Sequence, residues 1–144
     1  METLFLDAGS LIALEAEDDQ YHSPALQYWN EFSLAPPSLI TTTFVFDEVV
    51  TFFNNRNNHT KAVEIGDDLL GSNVIEMVEV DEALLLRGWK YFRDHSDKRY
   101  SLTDCISFVV MSERDITRAL TFDRHFAQAG FEKIPKPARS SQSG

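Results

Sequence analysis

A single cysteine, Cys105, stands in 144 residues, so no internal disulfide can form and a reducing, cytoplasmic setting is expected. No stretch approaches the roughly 18 apolar residues of a membrane span. The opening METLFLDAGS carries no basic segment or cleavage site, and Asp7 interrupts its apolar run, so it does not read as a signal peptide. His22, His59, His95 and His125 show no i,i+4 pairing, and HExxH, GxxxxGK and GxSxG are all missing. Basic residues are scarce: 13 Lys and Arg face 23 Asp and Glu, a formal net charge of −10. Such a surface repels phosphate chains and disfavours broad electrostatic binding of nucleic acid. Two readings survive. Either the protein has no dealings with nucleic acid, or its acids are gathered where they bind cations.

What is present is an ordinary globule, 43% hydrophobic and 25% charged, of single-domain size. Thr3 to Leu6 reads as a short buried strand ending at Asp7. A helix begins around Leu11, Ser23 caps another with Pro24 at its first position, and that helix ends by Pro36 and Pro37. Leu39 to Thr41 is a strand, Thr43 caps a helix from Phe44 to about Asn55, and a further helix runs to Gly71. Val74 to Val80 reads as a strand, Asp81 caps a helix to about Arg93, and Ser101 caps one from Leu102 to about Asp115. Ala119 to Phe122 is a strand ending at Asp123; a brief helix from Arg124 to Ala129 and a strand from Phe131 to Ile134 follow. The alternation predicts an α/β fold, a three-layer α/β/α sandwich around a mostly parallel sheet, over 1–135. The Pro/Ser-rich end, 136–144, is expected to be a disordered tail.

In such sheets ligands bind beyond the carboxyl ends of the strands, and two of these strands end on an aspartate. Asp7 and Asp123 each suit the N-cap of the next helix as well as a site. Glu48 lies between Phe44 and Phe52 at helical spacing, at the edge of buried surface, where an uncompensated charge is costly. Asp47, between Thr43 and Thr51, belongs to a solvated strip. Asp104 shares a face with Phe108 and Met111 on a helix apolar nearly all round, yet in SLTD it also stands at the capping-box position. Cap and ligand weigh equally there. Taken together, clustered carboxylates take up protons unless a cation neutralises them, and hard ions such as Mg²⁺ or Mn²⁺ prefer such oxygens.

LFLDAGSLIAL, TTTFVFDEVVTFF, SLTDCISFVV and LTFDRHF, in this order and spacing, resemble the four acidic motifs of PIN-domain ribonucleases. Toxins of the VapC type and their stand-alone relatives are most similar, and the resemblance spans Thr3 to Ile134. It implies Mg²⁺- or Mn²⁺-dependent endonucleolytic cleavage of RNA, with Asp7, Glu48, Asp104 and Asp123 as catalytic metal ligands. It also implies a homodimer, and for a toxin a small basic antitoxin whose Arg or Lys reaches the acids. Ala8 and Gly9 depart from the hydroxyl residue the family often carries just after its first Asp, and Ser10 comes next; Thr121, two residues before Asp123, offers a supporting hydroxyl. The rival reading is a catalytically degenerate PIN fold serving as an RNA-processing or protein-binding module, against which all four acids argue. A receiver-type domain wants paired acids that DAGSL lacks. Cys105 reads as core, Trp29 and Trp89 as packing residues. Lys98, Arg99 and Arg124 read equally as surface charges or phosphate contacts.

Overall fold

A computed structural model describes residues 2–32 and 35–136. In chain order it contains β1 (Thr3–Leu6), α1 (Ala8–Glu15), α2 (His22–Glu31), β2 (Ser38–Thr42), α3 (Thr43–Asn55), α4 (His59–Gly71) and β3 (Ile75–Val78). Then come α5 (Glu82–Asp94), α6 (Leu102–Glu113), β4 (Arg118–Leu120), α7 (Arg124–Gln128) and β5 (Glu132–Ile134). All strand pairs among the described residues are parallel, and the order is β3-β2-β1-β4-β5. Leu4, Phe5 and Leu6 are sealed from solvent, as a strand covered on both faces requires.

Strand order runs outward from β1 in one direction to β3, then jumps back across β1 to β4 and β5. Right-handed crossovers therefore put α1 to α4 on one face and α5 to α7 on the other. The helix contacts agree: α1, α2, α3 and α4 pack in one group, α5, α6 and α7 in another. The reversal between β1 and β4 is the switch point at which open α/β sheets form their ligand crevice. The register pairs Leu6 with Leu120, so Asp7 and Thr121 leave the sheet side by side at that point.

Local chemistry explains most boundaries. Asp81 accepts from the Leu84 amide at 2.9 Å and caps α5 as expected. α3 is capped by Thr42, one residue before the expected Thr43, because the Thr43 hydroxyl instead accepts from the Val80 amide at 3.0 Å. α2 begins at His22 behind an N-cap Tyr21 with no side-chain bond, so Ser23 is not its cap. Pro24 falls inside the first turn, where its missing N–H breaks no helical bond. α1 starts directly after Asp7, earlier than the Leu11 expected, and the strands at Val74, Ala119 and Phe131 are shorter than expected by a residue or more. From residue 137 on, the expected tail lies outside the described residues.

α5 and α6 approach closely at Gly88. A Cβ there would lie 2.4 Å from Ile106 Cγ1 and 3.3 Å from Ile106 Cα. Glycine is the residue that admits this contact, and α6 is the helix that carries Asp104.

Candidate active site

Asp7 is buried at the head of α1, yet its side chain caps nothing. Its Oδ2 instead accepts the Thr121 hydroxyl at 2.7 Å, and the same Thr121 oxygen accepts the Asp123 amide at 3.0 Å. One hydroxyl thus ties two strand ends together. It supplies from β4 the group that Ala8 and Gly9 cannot offer.

Asp104 caps α6 and also faces His125. The Ser101 hydroxyl accepts the Asp104 amide at 3.0 Å, and Asp104 Oδ2 accepts the Ser101 amide at 3.1 Å, a full capping box. The acid that starts α6 is thereby held in one rotamer at the mouth of the crevice. Asp123 has the same dual character, its Oδ1 accepting the His125 amide at 2.9 Å at the head of α7. In each case one carboxylate oxygen is committed to the backbone. Asp104 Oδ1, Asp123 Oδ2 and both Glu48 oxygens accept nothing from the described residues.

His125, which has no i,i+4 partner in sequence, joins the cluster. Its Nδ1 lies 3.3 Å from both Asp104 Oδ2 and Asp123 Oδ1, and with the proton on Nδ1 it donates between them. The Tyr100 ring meets the imidazole edge-on, centroids 5.5 Å apart. Asp104, Asp123 and His125 offer ligand atoms all within 4.8 Å of one another, a set able to hold a metal ion. The signal for His125 was its place in LTFDRHF, two residues past Asp123; a search for helical His pairs passes over it.

Glu48 projects from α3 into an open groove of about 880 Å³ between α3 and the head of α6, lined in part by Phe44, Phe52, Leu102 and Thr103. Asp47 and Glu48 are both exposed; among the described residues Asp47 accepts from the Thr51 hydroxyl alone, at 3.3 Å.

The electrostatics follow from burial without a counter-charge. Burial pushes the Asp7 carboxyl up to about 7; Asp104 and Glu48 push the same way, while the Thr121 hydroxyl and the Ala8 amide only partly oppose them. Glu48, although exposed, is raised first by partial desolvation and then by Asp104, Asp123 and Asp47. Asp104 is raised by burial and by Asp123, against the Ser101 amide and His125. Among the described residues no lysine or arginine pairs with any of the four acids. Cys105 is sealed in the core, and burial with Asp104 beside it pushes its thiol up to about 11, which removes it as a nucleophile.

Of the four expected acids the structure brings Asp104 and Asp123 together, with His125, while Asp7 and Glu48 stand outside that 4.8 Å group and feel its charge; carboxylate oxygens of this kind suit a hard divalent ion. The PIN domain profile matches residues 4–132. The chain belongs to the PIN-domain family. It is 31% identical over 131 residues to the 23S rRNA-specific endonuclease VapC20 of Mycobacterium tuberculosis, covering 91% of this chain and 97% of that protein. The crystal structure of that VapC20, a sarcin-ricin loop cleaving toxin, superposes with a TM-score of 0.81 over 89% of this chain and 95% of that one. FitAcB from Neisseria gonorrhoeae, at 14% identity and a TM-score of 0.63, covers 90% of this chain and 95% of its own and shares the fold. The PIN domain here is thus of the VapC endoribonuclease type. No helix among the described residues is long and apolar enough to cross a membrane.

Proposed function

We propose that this PIN domain is a Mg²⁺- or Mn²⁺-dependent endoribonuclease that cuts a structured ribosomal RNA loop of the kind named for VapC20. One observation carries the metal dependence: Asp7, buried among like charges with its carboxyl raised to about 7, has no cationic partner in the described protein. A bound divalent ion would supply that charge, polarise the scissile phosphate and lower the barrier to attack by water. Asp7, Glu48, Asp104 and Asp123 are the proposed ligands. Thr121 fixes the spacing of Asp7 and Asp123, and His125 holds Asp104 against Asp123. Water attacks phosphorus in line, the bond to O3′ breaks, and the products carry a 5′-phosphate and a 3′-hydroxyl.

A synthetic sarcin-ricin stem-loop incubated with Mg²⁺ or Mn²⁺ should be cut at one position, and a chelator should stop the reaction. Cleavage that survives exhaustive chelation overturns the mechanism. As partners we propose a second copy of the chain and a small basic antitoxin in the cytoplasm. Exposed Leu86, Trp89 and Phe92 on α5 support a further interface. The unpaired acids suit an arginine that bridges two carboxylates.

A further inference from the structure

Cations in this acidic protein are mostly spoken for. Eight of the described lysines and arginines have a carboxylate within 4.0 Å. Arg93, Arg99, Arg124 and Lys133 have none among the described residues. Arg93 closes α5, where a cation meets the helix C-terminus. The other three flank the acid cluster. Arg99 precedes Tyr100, which touches His125. Arg124 is the exposed first residue of α7, directly after Asp123. Lys133 places its Nζ 3.3 Å from the Phe122 carbonyl, the peptide oxygen just before Asp123, and keeps two N–H groups for other acceptors.

An aromatic pair stands on the same rim. Tyr21 and Phe122 stack face to face, centroids 4.5 Å apart and planes 3° from parallel. Phe122 covers one face of the Tyr21 ring, and Tyr21 is still 41% exposed. On the far side of the crevice Glu48 and Asp47 make the groove along α3 repellent to a phosphate chain. Bases stack on aromatic rings, and phosphates seek cations that have no other partner.

We infer that the rim made by Tyr21, Phe122, Arg124 and Lys133 docks the RNA strand beside the cleavage centre. Tyr21 receives one nucleobase on its exposed ring, and Arg124 and Lys133 meet the phosphates that flank it. The inference rests on the ribonuclease reading above and adds where, and by which chemistry, the strand is held.

Steady-state cleavage of the stem-loop over a range of salt concentrations tests it. Tyr21→Ala should raise KM about tenfold or more with kcat little changed, and Tyr21→Phe should restore it. Replacing bases near the scissile bond one at a time with abasic nucleotides should find one position where Tyr21→Ala carries no further penalty. Arg124→Gln and Lys133→Met should each flatten the plot of log kcat/KM against log salt by about 0.7 to 0.9. Arg93→Gln should change neither. Arg124 is exposed, so its variant carries the test should Lys133→Met fold poorly. If the wild-type chain cuts RNA while the Tyr21 and cation variants behave as Arg93→Gln, the docking rim is wrong. If the wild-type chain cuts no RNA, the ribonuclease reading fails and takes this inference with it.

Discussion

The two edges of the sheet treat the same residue types in opposite ways. Where the strands begin, Arg118 on β4 lies between Glu2, at 2.7 Å, and Glu132 on β5, at 3.3 Å. Beyond their ends Asp104 and Asp123 gather with His125, Asp7 and Glu48 feel the neighbouring acids, and no lysine or arginine among the described residues pairs with any of the four. One edge is neutralised by the fold itself. The other has no lysine or arginine paired to it among the described residues, and acids left in that state are where perturbed titration and function tend to coincide.

The sharpest way to break that contrast is Asp7→Asn. It should lower cleavage at least about a hundredfold, beyond the loss typical of partners outside a metal's ligand shell. In chelator at pH 8 it should also raise the melting temperature by about 5 °C, since it removes a buried charge at odds with its neighbours. A lower melting temperature would show that the Asp7 charge stabilises the fold. Asp104→Asn should lose cleavage to the same degree without the gain, because the capping box depends on that side chain.

Thr121→Val tests the link between the two acids. It leaves Asp7 Oδ2 and the Asp123 amide without their shared partner, at a cost of about 1–3 kcal/mol. Cleavage should fall about 10- to 100-fold; retention of full activity would mean that the spacing is held by other contacts.

pH separates the edges more quietly. Asp7 has its folded pKa raised from 3.8 to about 7, so between these values the native state binds protons that the unfolded chain has released. Metal-free protein should therefore lose stability as pH rises through that window, by up to about 4 kcal/mol, and level off above it. Saturating Mn²⁺ at pH 7.5 should restore the loss for the wild type and do little for Asp7→Asn. Denaturant titrations from pH 4 to 8 measure both; a stability that climbs through the window contradicts the assignment.

At the opposite edge, Arg118→Gln should cost about 1 kcal/mol or less, as half-exposed pairs do, and leave cleavage unchanged. Asp47→Asn should be nearly silent in both assays. An effect of either on cleavage comparable to that of Asp7→Asn would erase the distinction between the edges.

The sheet was legible because β1 and β4 are short apolar runs with an aspartate at the end of each, and parallel interior strands leave that mark. Glu48 stood out by its phenylalanine neighbours and Asp47 by its threonines, each a matter of helical spacing. The boundaries shifted where side chains found distant partners. Thr43 yields its expected cap to Thr42 because Val80, far along the chain, claims its hydroxyl. For the same reason the pairing of Thr121 with Asp7, 114 residues apart, is invisible to any local pattern. Local sequence shows the cap at Asp104, and the tertiary fold brings His125 against it.

The close approach at Gly88 has an evolutionary consequence. Because Ile106 leaves no space for a Cβ, every amino-acid replacement at position 88 presses on the helix that presents Asp104. Position 88 therefore has no neutral neighbours in sequence space while position 106 holds isoleucine. Trimming Ile106 to a smaller residue would relieve the side-chain clash while leaving the 3.3 Å approach to its Cα, so a prior change at 106 eases the step away from glycine. In a library of random variants, substitutions at 88 should survive only in company with one at 106, although neither residue touches the acids.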